Sequence, residues 1–343
     1  MSEQQLTQDA RISALRDWLQ TLSPQGLALQ ADSLRPASAD ASSRRYFRLD
    51  AAEGASLIAM DAPPPEDTEK FARVGALFAS CNLRVPRVLA ADHTQGFLLL
   101  DDFGSTTYLH QLSADNAHHL YMQALAALVQ LQRHSRPGVL PEYDRAFMQR
   151  ELDLFPEWFI KTHLQFELSD KQRQDLDKCF ELILAQCCAQ PQVFMHRDYH
   201  SRNLMAIDGG APGVLDFQDA VYGPITYDCV SLLRDAYVQW DEEMVLDWLI
   251  RYWEQAKRMQ LPVHHNIDQF YRDFEYMGLQ RHLKILGIFC RLNYRDGKPH
   301  YLQDLPLVLD YVRKTVNRYS ELKPLARLLD VLEQRQPQYT YSF

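Results

Sequence analysis

The amino-acid sequence predicts an α+β fold in which a small β-rich lobe precedes a large helical lobe. Two observations support this prediction. Short apolar segments separated by turn residues fill the first hundred positions, whereas longer segments with apolar residues every three or four positions fill the remainder. One β-type interruption, at residues 192–217, divides the helical part. We therefore place one lobe at 1–101 and the other at 102–343.

The first lobe is predicted to begin with a helix that ends at Ser23-Pro24. The apolar residues of this helix follow a spacing of three and four, and they are Leu6, Ile12, Leu15, Leu19 and Leu22. Strands are predicted at 27–34, 46–49, 56–60, 87–92 and 96–102. Glu53-Gly54 forms the turn between the second and third strands, and a helix at 66–80 precedes the fourth.

The second lobe is predicted to be mainly helical. Helices are expected at 114–135, 169–189, 225–240, 242–259 and 267–290. Ser169 and Gln172, at the start of the second of these, have the spacing of a capping box. Between the helices, residues 192–195 form an apolar strand. Residues 203–207 and 213–217 flank a turn of the type Asp-Gly-Gly, which indicates a hairpin.

Composition and charge exclude several classes of protein. Of the 343 residues, 46% are hydrophobic and 24% are charged, which is typical of a globular chain and not of a disordered or fibrous one. The net charge is −9 and no basic run occurs, so we expect no nucleic-acid partner. No segment approaches the ~20 apolar residues that span a bilayer, so we expect no membrane partner. Six cysteines without a CxxC motif, and an N-terminus without signal-peptide features, predict a cytoplasmic protein.

Three oxygen-bearing side chains are expected to meet in the 192–217 segment. If the hairpin turn is centred between Gly209 and Gly210, Asn203 and Asp216 are equidistant from its centre and lie side by side. Asp198 lies five residues before Asn203, in the loop that leads to it. Mg²⁺ usually takes one or two carboxylates and leaves its other positions to water and phosphates. The pattern therefore predicts a Mg²⁺ site with a third group left to accept a proton.

The motifs His196-Arg197-Asp198, Asn203 and Leu215-Asp216-Phe217 resemble the catalytic loop and metal-binding Asp of the protein-kinase-like superfamily. Within it, the chain is similar to the aminoglycoside/choline phosphotransferase branch, in which a short loop after the metal Asp ends in an Asp that opens a helix, here Asp228. Strings such as SRRYFRL, MDAPPPED and GIFCRLNYRDGKPHYL resemble bacterial anomeric sugar kinases, which phosphorylate the C1 hydroxyl of N-acetylmuramate and N-acetylglucosamine in cell-wall recycling. The resemblance implies a protein-kinase-like two-lobed fold, with nucleotide bound by the β-rich N-lobe and substrate by the helical C-lobe. It also implies ATP-dependent phosphorylation of a sugar hydroxyl.

The resemblance implies roles for individual residues. Asp198 is expected to be the base that accepts the hydroxyl proton, and Asn203 and Asp216 are expected to hold Mg²⁺ against ATP. Nucleotide contacts are expected from Ser42, Ser43, Arg44, Arg45, Leu100 and Asp102. Sugar contacts are expected from His200, Arg202, Arg234, Asp235, Arg291 and Arg295. His196 and Asp228 are expected to support the loop.

The sequence departs from the kinase pattern in the first lobe. The loop ADASSRRYF contains serines and no glycine, so the GxGxxG motif is absent. Met60 occupies the position where the third strand would carry a phosphate-binding lysine. Arginine is always charged and binds phosphate in a bidentate manner, so we expect Arg44, Arg45 or Arg48 to supply the missing charge. Without the lysine, the role of its usual helix partner, here Glu69, stays open.

Other functions remain open on the sequence. Another small alcohol or amino sugar, of the aminoglycoside, choline or homoserine type, fits the same catalytic block. Met60 and the missing glycines favour a nucleotide-binding pseudokinase, whereas the retained Asp198, Asn203 and Asp216 argue against it. The HxxxH spacing that starts at His196 would bind zinc on a helix, as in a metal hydrolase, but the strands on both sides disfavour a helix there.

Overall fold

The computed structural model describes residues 9–22, 28–37 and 43–334. Within these residues the chain divides into two compact units. The described parts of Met1–Leu112 together with Arg202–Asp219 form the first, which we call the sheet unit. Ser113–Ser201 together with the described part of Ala220–Phe343 form the second, the helical unit. The predicted hairpin therefore belongs to the sheet unit, although it lies far along the chain.

The sheet unit is organised around a five-stranded antiparallel sheet with the order β1-β2-β3-β5-β4. The strands are β1 Gln30–Pro36, β2 Arg45–Asp50, β3 Ser56–Asp61, β4 Val88–Asp92 and β5 Phe97–Asp101. All five strands predicted from the sequence are confirmed, with small shifts at their ends. Glu53 and Gly54 have positive φ angles of 58° and 77°, which close the predicted turn between β2 and β3.

Helix α1, Ala10–Leu22, covers this sheet. Its buried residues include Ile12, Leu15 and Leu19, which belong to one apolar cluster with residues of β1, β2 and β5. The prediction of an amphipathic helix is therefore confirmed, and Leu6 lies outside the described residues. Burial of this face against the sheet supplies most of the stability of such a helix, because short helices are marginal in water.

Helix α2, Thr68–Ser80, follows the proline-rich segment. Asp67 caps its first turn, because the Asp67 side chain accepts a hydrogen bond from the Lys70 N–H at 2.8 Å. Phe71 and Phe78 are buried on one face, as the spacing predicts. A single-turn helix, α3, spans Tyr108–Gln111.

The hairpin of the sheet unit consists of β7, Leu204–Met205, and β8, Gly213–Val214. Leu204 pairs with Val214, which centres the turn on Gly209. The predicted hairpin is confirmed, but the predicted centre was half a position too late. Because of this shift, Asn203 faces Leu215 and not Asp216.

The helical unit contains eight helices within its described residues. They are α4 Ala117–Arg133, α5 Arg145–Leu152, α6 Asp170–Cys188, α7 Tyr227–Leu233, α8 Glu242–Arg258, α9 Ile267–Tyr294, α10 Leu305–Arg318 and α11 Lys323–Glu333. A π-helical segment spans Phe155–His163, and β6, Gln192–Met195, pairs antiparallel with β9, Val221–Pro224. The capping box of Ser169 and Gln172 at the start of α6 is confirmed.

The helix predicted at 225–240 is much shorter in the structure. Helix α7 ends at Leu233, and Arg234 leaves the helical region with φ −124° and ψ 54°. The Asp235 side chain then accepts hydrogen bonds from the backbone N–H groups of Ser201 at 3.0 Å and Tyr237 at 3.2 Å. Hydrogen bonds to a distant segment replace helical hydrogen bonds at this point. The spacing of apolar residues along 225–240 cannot indicate such a contact.

Three helices, α5, α10 and α11, were not predicted. Helices α10 and α11 carry a proline in their first turn, where the missing N–H of proline has no helical partner to lose. Among the described residues, no helix is long and apolar enough to span a membrane.

Candidate active site

The hairpin of the sheet unit brings the two predicted Mg²⁺ ligands to neighbouring positions. The N–H of Leu215 donates to the backbone oxygen of Asn203 at 2.9 Å, so Asp216 is the residue after the one that faces Asn203. The hairpin is itself fixed, because the Val214 N–H donates to the Arg84 carbonyl at 2.7 Å. Both side chains offer oxygen, the ligand atom that Mg²⁺ prefers, so the donor chemistry of this pair fits the predicted ion.

The segment around Asp216 is held in an unusual conformation. Asp216 has a φ of 61°, in the left-handed region that Asp tolerates better than most residues and that is frequent at functional sites. Gln218 Nε2 donates to Asp216 Oδ1 at 2.7 Å. Phe217 is fully buried, and its ring lies 4.8 Å from that of Phe71 and 5.9 Å from that of Phe78. These contacts attach the segment that carries Asp216 to α2.

An open cavity of about 560 Å³ lies beside this segment, and we call it the α2 cavity. Residues from β3, from α2 and from the segment after Asp216 line it. The lining residues that matter below are Arg44, Met60, Glu66, Lys70, Gln218 and Asp219. Met60, where the kinase pattern would place a lysine, therefore forms part of the cavity wall. Two cations, Arg44 and Lys70, line the same cavity.

Arg44 is the one of the three candidate arginines that lines the α2 cavity. Its guanidinium lies 2.9 Å from the carboxylate of Glu66. Burial lowers the pKa of Arg44, but Tyr46, Glu66, Asp216 and Asp219 together raise this pKa above its ordinary value. Arg44 thus lies within electrostatic reach of the predicted metal ligand Asp216.

Arg45 and Arg48 instead hold buried carboxylates of the sheet unit. Arg45 Nε donates to Asp61, which is fully buried, at 2.9 Å. Arg48 Nη2 donates to Asp102, whose side chain is almost fully buried, at 3.0 Å. Removal of Arg48 leaves the Asp102 carboxylate without its arginine, which is strongly destabilising, whereas Asp61 keeps Arg11 as a partner when Arg45 is removed. The structure therefore places Arg45, which we predicted to contact nucleotide, in the fold of the sheet unit and outside the cavity.

The other predicted nucleotide contacts have different surroundings. Ser42 lies outside the described residues, and Ser43 donates a hydrogen bond to the glutamate that pairs with Arg44. Leu100 is buried in the middle of the sheet. The carboxylate of Asp102 is engaged by Arg48, and a contact of Asp102 with nucleotide stays a prediction.

In the helical unit, hydrogen bonds hold the loop 196–201, which carries Asp198. Asp228, in the first turn of α7, accepts from the N–H of His196 at 2.6 Å and from the N–H of Arg197 at 3.0 Å. His196 Nδ1 accepts from the Asp198 N–H at 3.2 Å. Asp235 holds the other end of the loop through the contact described above. The two residues predicted to support the loop, His196 and Asp228, both make such contacts.

The carboxylate of Asp198 is 41% exposed and faces several cations. Arg281 Nη1 lies 3.9 Å from Asp198 Oδ1. Partial desolvation opposes ionisation, but Lys284, Arg281, His200 and Arg197 outweigh it and hold the pKa of Asp198 well below its usual range. The carboxylate is therefore ionised at neutral pH and can accept a hydrogen bond from a hydroxyl group.

Asp228 has the opposite electrostatic character. It is buried, and this burial, with the nearby charge of Asp198, outweighs the hydrogen bonds from the loop and the charge of Arg281. The balance raises the pKa of Asp228 to about 7. A group that titrates near neutrality thus lies directly beneath the loop.

A network of buried ionic groups lies under the same loop. Glu151 accepts hydrogen bonds from Arg197 Nη2 at 2.9 Å and Lys284 Nζ at 3.0 Å, and Lys284 Nζ also lies 2.9 Å from the Tyr227 hydroxyl. Burial raises the pKa of Glu151, but Lys284 and Arg197 outweigh it and lower this pKa. We call these four residues the buried network. Glu151 pairs with both cations of the network, and the nearby carboxylate of Asp198 also acts on them.

Two of the predicted sugar contacts are buried inside the helical unit. Arg234 is 2% exposed and pairs with Glu242 at 2.6 Å and with Glu275 at 3.3 Å. Asp235 is also buried and anchors the loop 196–201. The structure therefore shows both residues in contacts within the helical unit, and their contact with a sugar stays a prediction. Arg202 belongs to the sheet unit.

The remaining predicted sugar contacts are more accessible. The His200 ring packs edge-on against Tyr237, with ring centroids 5.4 Å apart. Arg291 is partly buried, and among the described residues its Nε has no hydrogen-bond partner. Burial and the nearby Arg295 lower the pKa of Arg291, so its positive charge is incompletely balanced. Arg295 is exposed and pairs with Asp296.

Sequence reasoning missed most of the polar and charged residues that organise these two regions. They are Lys70, Gln218 and Asp219 in the α2 cavity, and Glu151, Arg281 and Lys284 beneath the loop. Arg281 and Lys284 interrupt an apolar stretch of α9, and charges within such a stretch indicate buried, paired groups. Glu69, on α2, is exposed. Glu66, which precedes this helix, is the residue that pairs with Arg44.

Within residues 9–22, 28–37 and 43–334, no group of three or more His, Cys, Asp and Glu side chains is arranged to hold a metal ion. The predicted Mg²⁺ site consists of Asn203 and Asp216, with positions left for phosphate and water. Asp198 belongs to the other unit, so its meeting with these two residues stays a prediction.

Comparison with known proteins relates the whole chain to one family. A model of the phosphotransferase enzyme family matches residues 33–261. The N-acetylmuramate/N-acetylglucosamine kinase of Neisseria meningitidis serogroup B is 51% identical over 92% of this chain and 94% of its own length. The kinase of the same name from Pseudomonas aeruginosa is 44% identical over 96% of this chain and 99% of its own length.

Solved structures share the fold at low sequence identity. The choline kinase of Streptococcus pneumoniae matches with a TM-score of 0.60 at 11% identity, and the match covers 88% of this chain and 99% of that one. The macrolide 2′-phosphotransferase of Brachybacterium faecium matches with a TM-score of 0.57 at 15% identity, over 85% and 97% of the two chains. The kinase-like α+β fold predicted from the sequence is thus confirmed.

Proposed function

Because the chain belongs to the phosphotransferase enzyme family and is an ATP-dependent phosphotransferase, we propose that it transfers the γ-phosphate of ATP to N-acetylmuramate and N-acetylglucosamine. The proposed acceptor group is the anomeric C1 hydroxyl of either sugar. We also propose a cytoplasmic location, because ATP is the phosphate donor, and we expect no nucleic-acid or membrane partner.

One observation carries this proposal. Relatives named for these two substrates are 44–51% identical to this chain over nearly the whole length of both partners. Such a match includes the elements of the helical unit where acceptor pockets differ between phosphotransferases. Weaker structural likeness to choline and macrolide phosphotransferases supports the fold and does not favour their substrates.

Asp198 is proposed to accept the proton of the sugar hydroxyl. Its ionised carboxylate is held by the loop contacts and by the charge of Arg281, so it presents a fixed acceptor. The depressed pKa makes Asp198 a weak base, which suits a reaction in which most of the catalysis comes from positioning and charge neutralisation. Asp198 therefore has two proposed tasks, to orient the hydroxyl group and to accept its proton.

Asn203 and Asp216 are proposed to hold Mg²⁺. The ion, when bound, neutralises charge on the phosphates of ATP. The chain's contribution is to keep the two oxygen donors together through the hairpin and to fix Asp216 through Gln218 and the buried ring of Phe217.

Arg291 is proposed to contact the carboxylate of the lactyl group that distinguishes N-acetylmuramate from N-acetylglucosamine. Its positive charge is incompletely balanced within the described residues, and arginine binds carboxylate in a bidentate manner. The exposed Arg295 adds positive charge nearby.

The proposal is tested with the purified protein, ATP, Mg²⁺ and a panel of acceptors that contains both sugars, an aminoglycoside, choline and homoserine. Of the acceptors in the panel, only the two sugars are expected to cause release of ADP. Phosphorus NMR of the products should show phosphate on C1. The Arg291→Ala variant should lose kcat/KM for N-acetylmuramate and keep it for N-acetylglucosamine.

Two results would contradict the proposal. Turnover of another acceptor with neither sugar phosphorylated would assign the chain a different substrate. ATP binding without turnover of any acceptor would indicate a nucleotide-binding pseudokinase.

A further inference from the structure

We propose that Lys70 of α2 binds the phosphates of ATP and so replaces the lysine that β3 lacks at Met60. The inference rests on the proposed function in so far as ATP is the phosphate donor. The sequence pattern does not indicate Lys70. This residue lies on α2, whereas the usual lysine would lie on β3.

The α2 cavity restricts which cations can reach a phosphate next to Asp216. The cations that line it are Arg44 and Lys70. Arg45 and Arg48 are hydrogen-bonded to the buried carboxylates of Asp61 and Asp102. Of the basic residues considered, Arg44 and Lys70 are therefore the two that face open space beside the metal-ligand segment.

Lys70 is the more easily exchanged of the two. Its ammonium lies 2.7 Å from Asp219, and the two side chains are 34% and 49% exposed. The Arg44 and Glu66 side chains are only 12% and 21% exposed. Exposed ion pairs contribute little to stability, so a phosphate can take the place of the Asp219 carboxylate at small cost. A lysine also has a flexible stem that lets its charge follow the phosphate.

Gln218 provides a second, independent sign that a ligand enters this cavity. Its side chain is 6% exposed, and Nε2 donates to Asp216 while, among the described residues, Oε1 accepts no hydrogen bond. A buried acceptor without a donor is unfavourable, so the cavity contains an unsatisfied group beside the metal-ligand candidate. A donor that enters with the nucleotide, such as metal-bound water, satisfies it.

The test measures nucleotide binding directly by calorimetry, with ATP and Mg²⁺ as one probe and adenosine as the other. The Lys70→Met variant should weaken ATP binding about ten- to hundred-fold, because it removes a charge-assisted contact, and should leave adenosine binding unchanged. The Lys70→Arg variant should restore most of the ATP affinity. The Asp219→Asn variant should bind ATP at least as tightly as the wild type, since it releases the ammonium from its partner.

The matched control is Lys314→Met in α10. Lys314 pairs with Asp310 at 2.8 Å, and the side chains are 45% and 42% exposed, similar to the Lys70 pair. This variant should bind ATP as the wild type does, and both lysine variants should melt at the wild-type temperature.

Two outcomes would overturn the inference. Wild-type ATP affinity in Lys70→Met would remove Lys70 from the phosphate site. Equal losses of ATP affinity in Lys70→Met and Asp219→Asn would show that the pair only connects α2 to the segment after Asp216. Neither result depends on which sugar is phosphorylated, so failure of the proposed acceptor would leave this test intact.

Discussion

The α2 cavity and the buried network both place cations against carboxylates, but they differ in their exposure to water. Lys70 and Asp219 are 34% and 49% exposed, whereas Lys284 and Glu151 are 6% and 8% exposed. An exposed pair typically stabilises a protein by about 1 kcal/mol or less, because water competes with each partner. Loss of one partner from a buried pair costs about 3–5 kcal/mol, because the other charge stays desolvated.

The difference indicates which charges can take part in binding and which can only hold the fold. A nucleotide can displace a carboxylate from an exposed ammonium, since water already solvates both groups in part. It cannot displace Glu151 from Lys284 without leaving a buried charge unpaired. The buried network therefore keeps the loop 196–201 in place through Arg197, whereas the exposed Lys70–Asp219 pair can be exchanged at small cost.

The largest effect is expected for Asp198, which lies at the edge of the buried network. The Asp198→Asn variant should lose turnover by a factor of about 10²–10⁴, because the amide cannot accept the hydroxyl proton. The KM for ATP should stay near the wild-type value, because the residues proposed to contact nucleotide belong to the other unit. Steady-state kinetics of ADP release measure both quantities, with Asp175→Asn in α6 as a matched surface control.

Near-normal turnover in Asp198→Asn would remove this residue from the chemistry. A parallel rise in the KM for ATP would show that the cavity and the loop do not act separately.

The next effect concerns stability. The Lys284→Met variant should lower the free energy of unfolding by about 3 kcal/mol, the lower end of the range for a buried pair, because Arg197 still faces Glu151. Urea denaturation followed by circular dichroism measures this loss. Lys171→Met, which breaks an exposed pair with Asp175, is the control and should leave the unfolding midpoint unchanged. A small loss in both variants would mean that burial does not distinguish the two kinds of pair.

The last prediction concerns a pH dependence of stability that arises from Asp228. The pKa of Asp228 is raised to about 7 in the folded protein, whereas an unfolded Asp titrates near 3.8. Between these values the folded state binds the extra proton, so this group lowers the free energy of unfolding by roughly 1.4 kcal/mol for each unit of rising pH.

The Asp228→Asn variant lacks this contribution, so its stability relative to the wild type should increase from pH 4 to pH 7. Urea unfolding at several pH values gives the difference. A difference that does not change with pH would show that Asp228 is ionised throughout and that the loop hydrogen bonds outweigh its burial.

Much of the fold was predictable because the controlling interactions are local. Short apolar segments bounded by turn residues indicated all five strands, and an Asp-Gly-Gly turn indicated the hairpin within half a position. The helix at 225–240 was wrong in length because Asp235 leaves the helix to bind the loop 196–201. A hydrogen bond between residues more than thirty positions apart leaves no local sequence signal.

Some residues of the candidate site could likewise be proposed from the sequence, whereas others could not. Motif spacing along the chain was enough to propose Asp198, Asn203 and Asp216, since these residues lie within one short segment. The same approach could not choose among Arg44, Arg45 and Arg48, which are nearly adjacent in sequence. Their roles depend on which carboxylate each one meets.

Residue pattern alone thus accounts for the strands, the hairpin and the chemistry-bearing motif, because neighbours along the chain control them. Packing alone assigned Arg45 to Asp61, Arg44 to Glu66 and Lys70 to Asp219. The physical reason is that the energy of a charge depends on its partner and on the water around it. Both are set only when distant parts of the chain come together.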